Sequence, residues 1–325
     1  MTVTDAAPDL IMDQIMSRAG SRLGFGCGNL HADENADASL RLLETALDAG
    51  VTWFDVARLY GEGEAEGLLG KAIKGRRDGL VIVSKAGILP TPNGLHLRAA
   101  DKAARLARRL PGLGALVAEP APRSPVFGVF DPAALRRSVE TSLRNLGVDN
   151  LDLLLLHECT LADASRPELV DLLETLKLEG KIAAWGSAAV DAEALAIAQA
   201  APPGLSAMQF PHTVLEPVLP AVRAHTGVLA IVHSLFSGEV RRFLSDIATR
   251  PQLADKARAL GIDPADTRAM GVRLMALALR ENRGGVVLFS TSNPGAIAAN
   301  LAAASIPAHE ADAMLALAAA WKAGG

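Results

Sequence analysis

The sequence predicts a (β/α)8 TIM barrel, a closed ring of eight parallel strands wrapped by helices, with long loop insertions at its C-terminal face. Three observations lead there. Short runs rich in Val, Ile and Leu alternate eight times with segments whose apolar residues recur at helical spacing, an order that favours a closed barrel over an open sheet. The length of 325 residues suits one barrel of about 250 residues plus insertions. Finally, three of the apolar runs end in Asp55, Lys85 and His157, and a parallel barrel gathers such residues because the carboxyl ends of its strands share one face.

The elements follow in order. Arg22 to Asn29 reads as the first strand, and Ala38 to Ala49 as a helix with an apolar stripe at Leu40, Leu42, Leu43, Ala46 and Leu47. After Gly50, the β-branched and aromatic run from Val51 to Phe54 is a buried strand that delivers Asp55. A helix from Glu64 to Lys74, a strand from Leu80 to Ser84, a helix from Pro132 to Leu146 and a strand from Leu151 to Leu156 continue the rhythm. Next come a helix from Pro167 to Leu178, strand five from Ile182 to Trp185 and a helix from Ala192 to Ala200. Strand six runs from Ala207 to Phe210, a short helix from Leu219 to His225, and strand seven from Val228 to Val232. A long helix begins at Pro264 with Asp263 as its N-cap and ends at Glu281. The eighth strand, Val286 to Phe289, leads into a helix from Pro294 to Ala304.

The whole chain, 1–325, is read as one barrel domain carrying two excursions over its mouth, 87–131 and 236–262, and a packing helix within 305–325. Loops of such length inside a compact domain are functional or disordered. Arg98, Lys102, Arg105, Arg108 and Arg109 cluster on a helix in the first excursion. They form either a solvated face or an anion-facing lid.

Composition narrows the function. Half the residues are hydrophobic but only 4% aromatic, and the formal charge is −4 with acids and bases interspersed. No basic balance argues for nucleic acid or an anionic membrane. Two cysteines, Cys27 and Cys159, are too few for a disulfide framework or a zinc cluster. The first twenty residues lack a secretory pattern, and no uncharged apolar run approaches the roughly 18 residues of a span. A cytoplasmic protein is expected. His157-Glu158-Cys159 lacks the paired imidazoles of a metal motif, and His31, His96, His212, His225 and His309 show no ligand spacing. Gly24, Gly26 and Gly28 stand as GxGxG with no helix opening behind them, so they indicate close backbone approach at a barrel mouth rather than a dinucleotide fingerprint.

The densest chemistry lies around Tyr60, the only tyrosine. It follows Asp55 in the loop after the second strand. A carboxylate, a phenol, an amine and an imidazole at or just beyond strand ends form a proton-transfer set whose members tune one another. A Lys85 ammonium favours the phenolate of Tyr60 and is expected to lower its pKa, while Asp55 holds Lys85 charged.

FDVARLYGEGEAEGLLGKAI, VIVSKAG and LDLLLLHE, followed by GKIAAWGSA, MQF and STSNPGAIAANL, resemble the aldo-keto reductase superfamily from Arg22 to Ala304. The resemblance implies an NAD(P)(H)-dependent oxidoreductase. Its small-molecule substrate would be a carbonyl or alcohol, with a leaning to aldoses or their lactols. Tyr60 would act as general acid or base, aided by Asp55, Lys85 and His157. It also implies a nicotinamide held by Ser187, Gln209, His233 and Ser234, with Ser290, Thr291, Ser292 and Asn300 at the other end of the cofactor.

Two positions and one loop depart from the family. Ala188 stands where a carboxamide-binding Asn is usual, and His233 where an aromatic stacks on the nicotinamide. The loop from Ser290 to Asn300 has no cation to grip the 2′-phosphate of NADP. NADP(H) is the family default, and NAD(H) is its rival for this chain. The alternatives are a catalytically silent nicotinamide-binding module and a lyase using Lys85 as a Schiff-base amine, which would need a depressed amine pKa.

Overall fold

The computed structural model describes residues 8–30, 36–91 and 124–324. Eight parallel strands close into a barrel in sequence order: β1 (Leu23–Gly26), β2 (Trp53–Asp55), β3 (Val81–Ala86), β4 (Leu151–His157), β5 (Ile182–Ala188), β6 (Leu205–Pro211), β7 (Leu229–His233) and β8 (Val286–Phe289). β1 pairs with β8, Phe25 opposite Phe289, and so closes the ring. The predicted barrel is borne out.

Alternation along the strands sorts the core into two layers. Inside the barrel, Trp53, Val81, Val83, Leu153, Leu155, Ala184, Ala207, Ile231 and Leu288 pack together. The intervening residues, among them Phe54, Ile82, Leu154, Trp185, Met208 and Val287, meet the surrounding helices. The same parity places Asp55, Lys85, His157, Ala188, Gln209 and His233 as the next inward positions, one step toward the carboxyl end. Register therefore assembles the site. Lys85 lies within β3 rather than beyond it, because it substitutes for an aliphatic residue in the inner stack.

The glycines of β1 act by close approach, as expected. A Cβ on Gly24 would lie 2.5 Å from Trp53 Cδ1, and one on Gly26 2.6 Å from Ser290 Oγ.

Local signals fix several helices. In Pro132–Leu146, Asp131 accepts from the Ala134 amide, Pro132 occupies the first turn, and Gly147 closes the end in the left-handed region. The long helix starts at Thr267 rather than Pro264. Asp263 accepts from Ala265 N at 2.9 Å and makes a turn of its own, leaving Asp266 as the cap that accepts from Ala269 N. The segment expected as one helix from Pro294 is three short pieces, Pro294–Ala296, Ile297–Leu301 and Ala302–Ser305, the middle one α-helical. The excursion after β7 folds into two helices, Gly238–Thr249 and Pro251–Ala259. A C-terminal helix, Ala308–Ala323, packs on Thr267–Glu281.

A helix not anticipated, Pro8–Ala19, lies across the amino ends of the strands. Met12, Ile15 and Ala19 join the inner barrel core. Arg18 binds Asp152, which is buried and also accepts from Arg77 and from Ile82 N. One carboxylate thus ties the plug to two strands. The excursion after β3 leaves and returns as a pair, Leu89 with Val126. The cationic cluster from Arg98 to Arg109 lies outside the described residues.

Candidate active site

Asp55 is the centre of the arrangement. Buried at the end of β2, it pairs through Oδ1 with the ammonium of Lys85, and its Oδ2 accepts from Gln209 Nε2 at 2.7 Å. Lys85, itself buried, also donates to Tyr60 Oη at 3.0 Å. The order Gln209, Asp55, Lys85, Tyr60 is a continuous hydrogen-bonded chain from β6 to the loop after β2. Next to it, the imidazole of His157 meets the Tyr60 ring edge-on, with centroids 5.9 Å apart.

Burial and charge act against each other here. Desolvation is the largest influence on Tyr60 and raises the phenol pKa above its ordinary value, while the Lys85 ammonium opposes it. The lowering expected from the sequence is corrected. Removing the phenolate from water outweighs one neighbouring cation that Asp55 already half-neutralises. For Lys85, burial favours the neutral amine, but Asp55 and Tyr60 outweigh it and hold the pKa above the usual range. Burial, then Lys85, pushes His157 down to about 3, and the same causes push His233 down to about 4. Both imidazoles are neutral at physiological pH. Cys27, buried beside the set, is raised chiefly by burial and stays a thiol.

The backbone contributes at two of these positions. Glu158 and Ser234, which immediately follow His157 and His233, take left-handed conformations with φ of 52° and 59°. A non-glycine residue there is disfavoured by roughly 1–2 kcal/mol, and such strain gathers at functional sites. Ser234 Oγ lies 2.8 Å from His233 Nδ1 and fixes that ring.

Neutral histidines carry a pH signature. In the unfolded chain His157 takes up a proton near pH 6.5, but in the fold only near pH 3. The unfolded state binds more protons throughout that window. Stability is therefore complete above about pH 6.5 and declines as the pH falls toward 3, with His233 adding in the same direction. Melting temperature should fall between about pH 7 and pH 5, less steeply in His157→Gln. A pH-independent melt over that range would contradict the assignment.

A cavity of about 330 Å³ is lined by Gly26, Asp55, Tyr60, Gln209, His233, Ser234, Arg241 and Ser290, among others, while Lys85 and His157 stand behind its wall, in contact with Tyr60. Gly28 also lines it, and a Cβ there would meet nothing within 4 Å. A second cavity, of about 600 Å³, shares Phe236 and Arg241 with the first and reaches Asn300. The residues expected to hold a cofactor therefore divide. Gln209, His233, Ser234 and Ser290 are together. Asn300 is in the second cavity. Thr291 and Ser292 line neither, and Thr291 Oγ1 accepts from Asn293 N in a local turn. Ser187 has the parity of Trp185, opposite to inward Ala188, and its buried Oγ has no partner. His157 Nδ1 is likewise buried and unpartnered. Phe236 and Arg241 escaped sequence reasoning, because the excursion carrying them has no strand-end position.

A nicotinamide dinucleotide fits this space. The two cavities adjoin at Phe236 and Arg241. The inner one offers an amide, an imidazole and hydroxyls to a carboxamide, and the outer one two guanidinium groups and an amide. Among the described residues there is no group of three or more His, Cys, Asp or Glu side chains placed to hold a metal, and no helix long and apolar enough to cross a membrane.

Residues 22–321 match the Aldo/keto reductase family. D-threo-aldose 1-dehydrogenase from a Pseudomonas species is 31% identical over 64% of this chain and 64% of its own. NADH-specific methylglyoxal reductase from Escherichia coli is 28% identical over 53% of this chain and 49% of its own. In general the chain spans about half the length of the curated relatives it matches. Among solved structures, an aldo/keto reductase from Klebsiella pneumoniae in complex with NADP and acetate superposes with a TM-score of 0.60. It is 23% identical and covers 90% of this chain and 89% of that one.

Proposed function

The chain belongs to the aldo/keto reductase family, and on that premise we propose that it interconverts a small carbonyl compound and its alcohol with a nicotinamide dinucleotide. The observation that carries this reading is the chain from Asp55 through Lys85 to Tyr60, which ends in a phenol at the wall of the cavity.

When bound, the dinucleotide supplies or accepts a hydride. The protein must manage the proton and the charge on oxygen. Lys85 donates to one lone pair of Tyr60 Oη, which directs the phenolic O–H away from it and toward a ligand in the cavity. With its pKa raised, Tyr60 is protonated in the free protein and is loaded as an acid. In the reduction direction it donates its proton to the carbonyl oxygen as charge develops there. His157, neutral, donates a hydrogen bond to the same oxygen and orients it. Asp55 keeps Lys85 charged and in place, and Gln209 keeps Asp55 in place. In the reverse direction Tyr60 must first lose its proton, so oxidation of an alcohol is favoured at higher pH than reduction of the carbonyl.

Gln209, His233, Ser234 and Ser290, which line the inner cavity, would hold the nicotinamide half. Asn300 would meet the adenine. Thr291 and Ser292 contribute through the loop they shape. An aldehyde, or an aldose with its masked aldehyde, is the substrate class that a cavity of this size with mixed polar and apolar walls accommodates, and the aldose dehydrogenase among the relatives supports it. A Schiff-base role for Lys85 is disfavoured, since that chemistry needs a lowered amine pKa and Asp55 raises it.

Titration of the purified protein with NADPH and with NADH, followed by turnover against a panel of aldehydes and, with the oxidised forms, aldoses, tests the proposal. Binding accompanied by turnover supports it. Binding without oxidation of the reduced dinucleotide across the panel points instead to a silent cofactor-binding module, and absence of binding removes redox chemistry altogether.

A further inference from the structure

The second cavity holds more positive charge than the function has so far used. Its floor is apolar, formed by Leu244, Val272 and Met275, and its rim carries Arg241, Arg268 and Asn300. Among the described residues no carboxylate lines it. Asp266, the nearest acid in sequence to Arg268, is already engaged in capping the helix Thr267–Glu281 through the Ala269 amide. Arg241 uses one guanidinium nitrogen, NH1, on Phe236 O at 2.9 Å, which fixes the side chain between the two cavities and leaves its other N–H groups to a ligand. An apolar lining with an amide and two guanidinium groups suits a heterocycle bearing an anionic substituent.

We infer that Arg241 and Arg268 bind the phosphate on the adenosine ribose of the dinucleotide, and so select NADPH over NADH. The inference rests on the proposed redox function and adds to it the residues that decide the cofactor. The loop from Ser290 to Asn300, which lacks a cation, is relieved of that task. The charge comes instead from the excursion after β7 and from the first turn of Thr267–Glu281. Because Arg241 also lines the inner cavity, it joins the adenosine half to the catalytic half.

Equilibrium binding of NADPH, NADH and adenosine 2′,5′-bisphosphate is to be measured for the full chain and for Arg241→Met and Arg268→Met, each checked for an unchanged thermal melt. The wild type should bind NADPH about tenfold or more tightly than NADH, the scale of one charge-assisted hydrogen bond. Each variant should narrow that gap while NADH affinity stays within about twofold, and the bisphosphate should compete with NADPH in the wild type and lose strength in both variants. Equal affinity of the wild type for the two dinucleotides, or parallel weakening of both in the variants, overturns the assignment while aldehyde turnover continues. Absence of binding by either dinucleotide overturns the function and this inference together. Arg268→Met guards against a merely structural effect, since Arg268, unlike Arg241, is not needed to hold the turn at Phe236.

Discussion

Tyr60→Phe should reduce turnover by at least about two orders of magnitude while leaving dinucleotide affinity within about twofold, the signature of a lost general acid. The ring stays. Phe keeps the edge-on contact with His157 and the packing of the loop after β2, so only the hydroxyl at the end of the Lys85 chain is removed. The loss should fall on kcat, because that proton moves only as charge develops on the substrate oxygen. The pH profile supplies a second reading. In the wild type, alcohol oxidation should rise toward alkaline pH as the half-buried phenol ionises, and in the variant that limb should disappear. Stopped-flow measurement of a single turnover separates chemistry from product release. Full activity in the variant would remove Tyr60 from the mechanism.

The fold was legible because its signals are local and repeated. Apolar runs ending at Asp55, Lys85 and His157, proline at the first turn of Pro132–Leu146, and glycine after its end each report a boundary within a few residues. The site was legible to the extent that it follows strand parity. Once β2, β3, β4, β6 and β7 are in register, Asp55, Lys85, His157, Gln209 and His233 must come together.

What was not legible depends on contacts between distant elements. Met12, Ile15 and Ala19 form a helical stripe, but nothing local says that it plugs the barrel or that Arg18 will find Asp152. Asp263 and Asp266 are both acceptable caps, and Asp263 is committed to a turn only because the chain reverses there. The balance at Tyr60 is of the same kind. A nearby lysine argues for a lowered phenol pKa, but burial is a property of the folded barrel, and it wins. Arg241 and Arg268 lie on separate helices and meet one cavity only through tertiary packing.

Lys85→Met should destabilise the protein by roughly 3–5 kcal/mol and abolish turnover, because it removes one partner of a buried ion pair and leaves the other. Among the described residues Asp55 would then retain Gln209 as its only side-chain donor, a single neutral amide for a carboxylate withdrawn from water. The inner stack would also lose the group that Tyr60 Oη accepts from. The double variant Lys85→Met with Asp55→Leu separates these effects. Replacing both charges with apolar residues of similar size should recover much of the melting temperature without recovering turnover, since the desolvation penalty disappears with the charges. Chemical denaturation of the wild type, both single variants and the double variant yields the coupling energy directly. Near-additive losses would mean that Asp55 and Lys85 are not paired in the folded protein, and the proposed route from Gln209 to Tyr60 would be broken at its centre. A strongly positive coupling with inactive enzyme would place the pair where the geometry puts it, a buried ionic support whose function is to hold one phenol in its acid form at the mouth of the barrel.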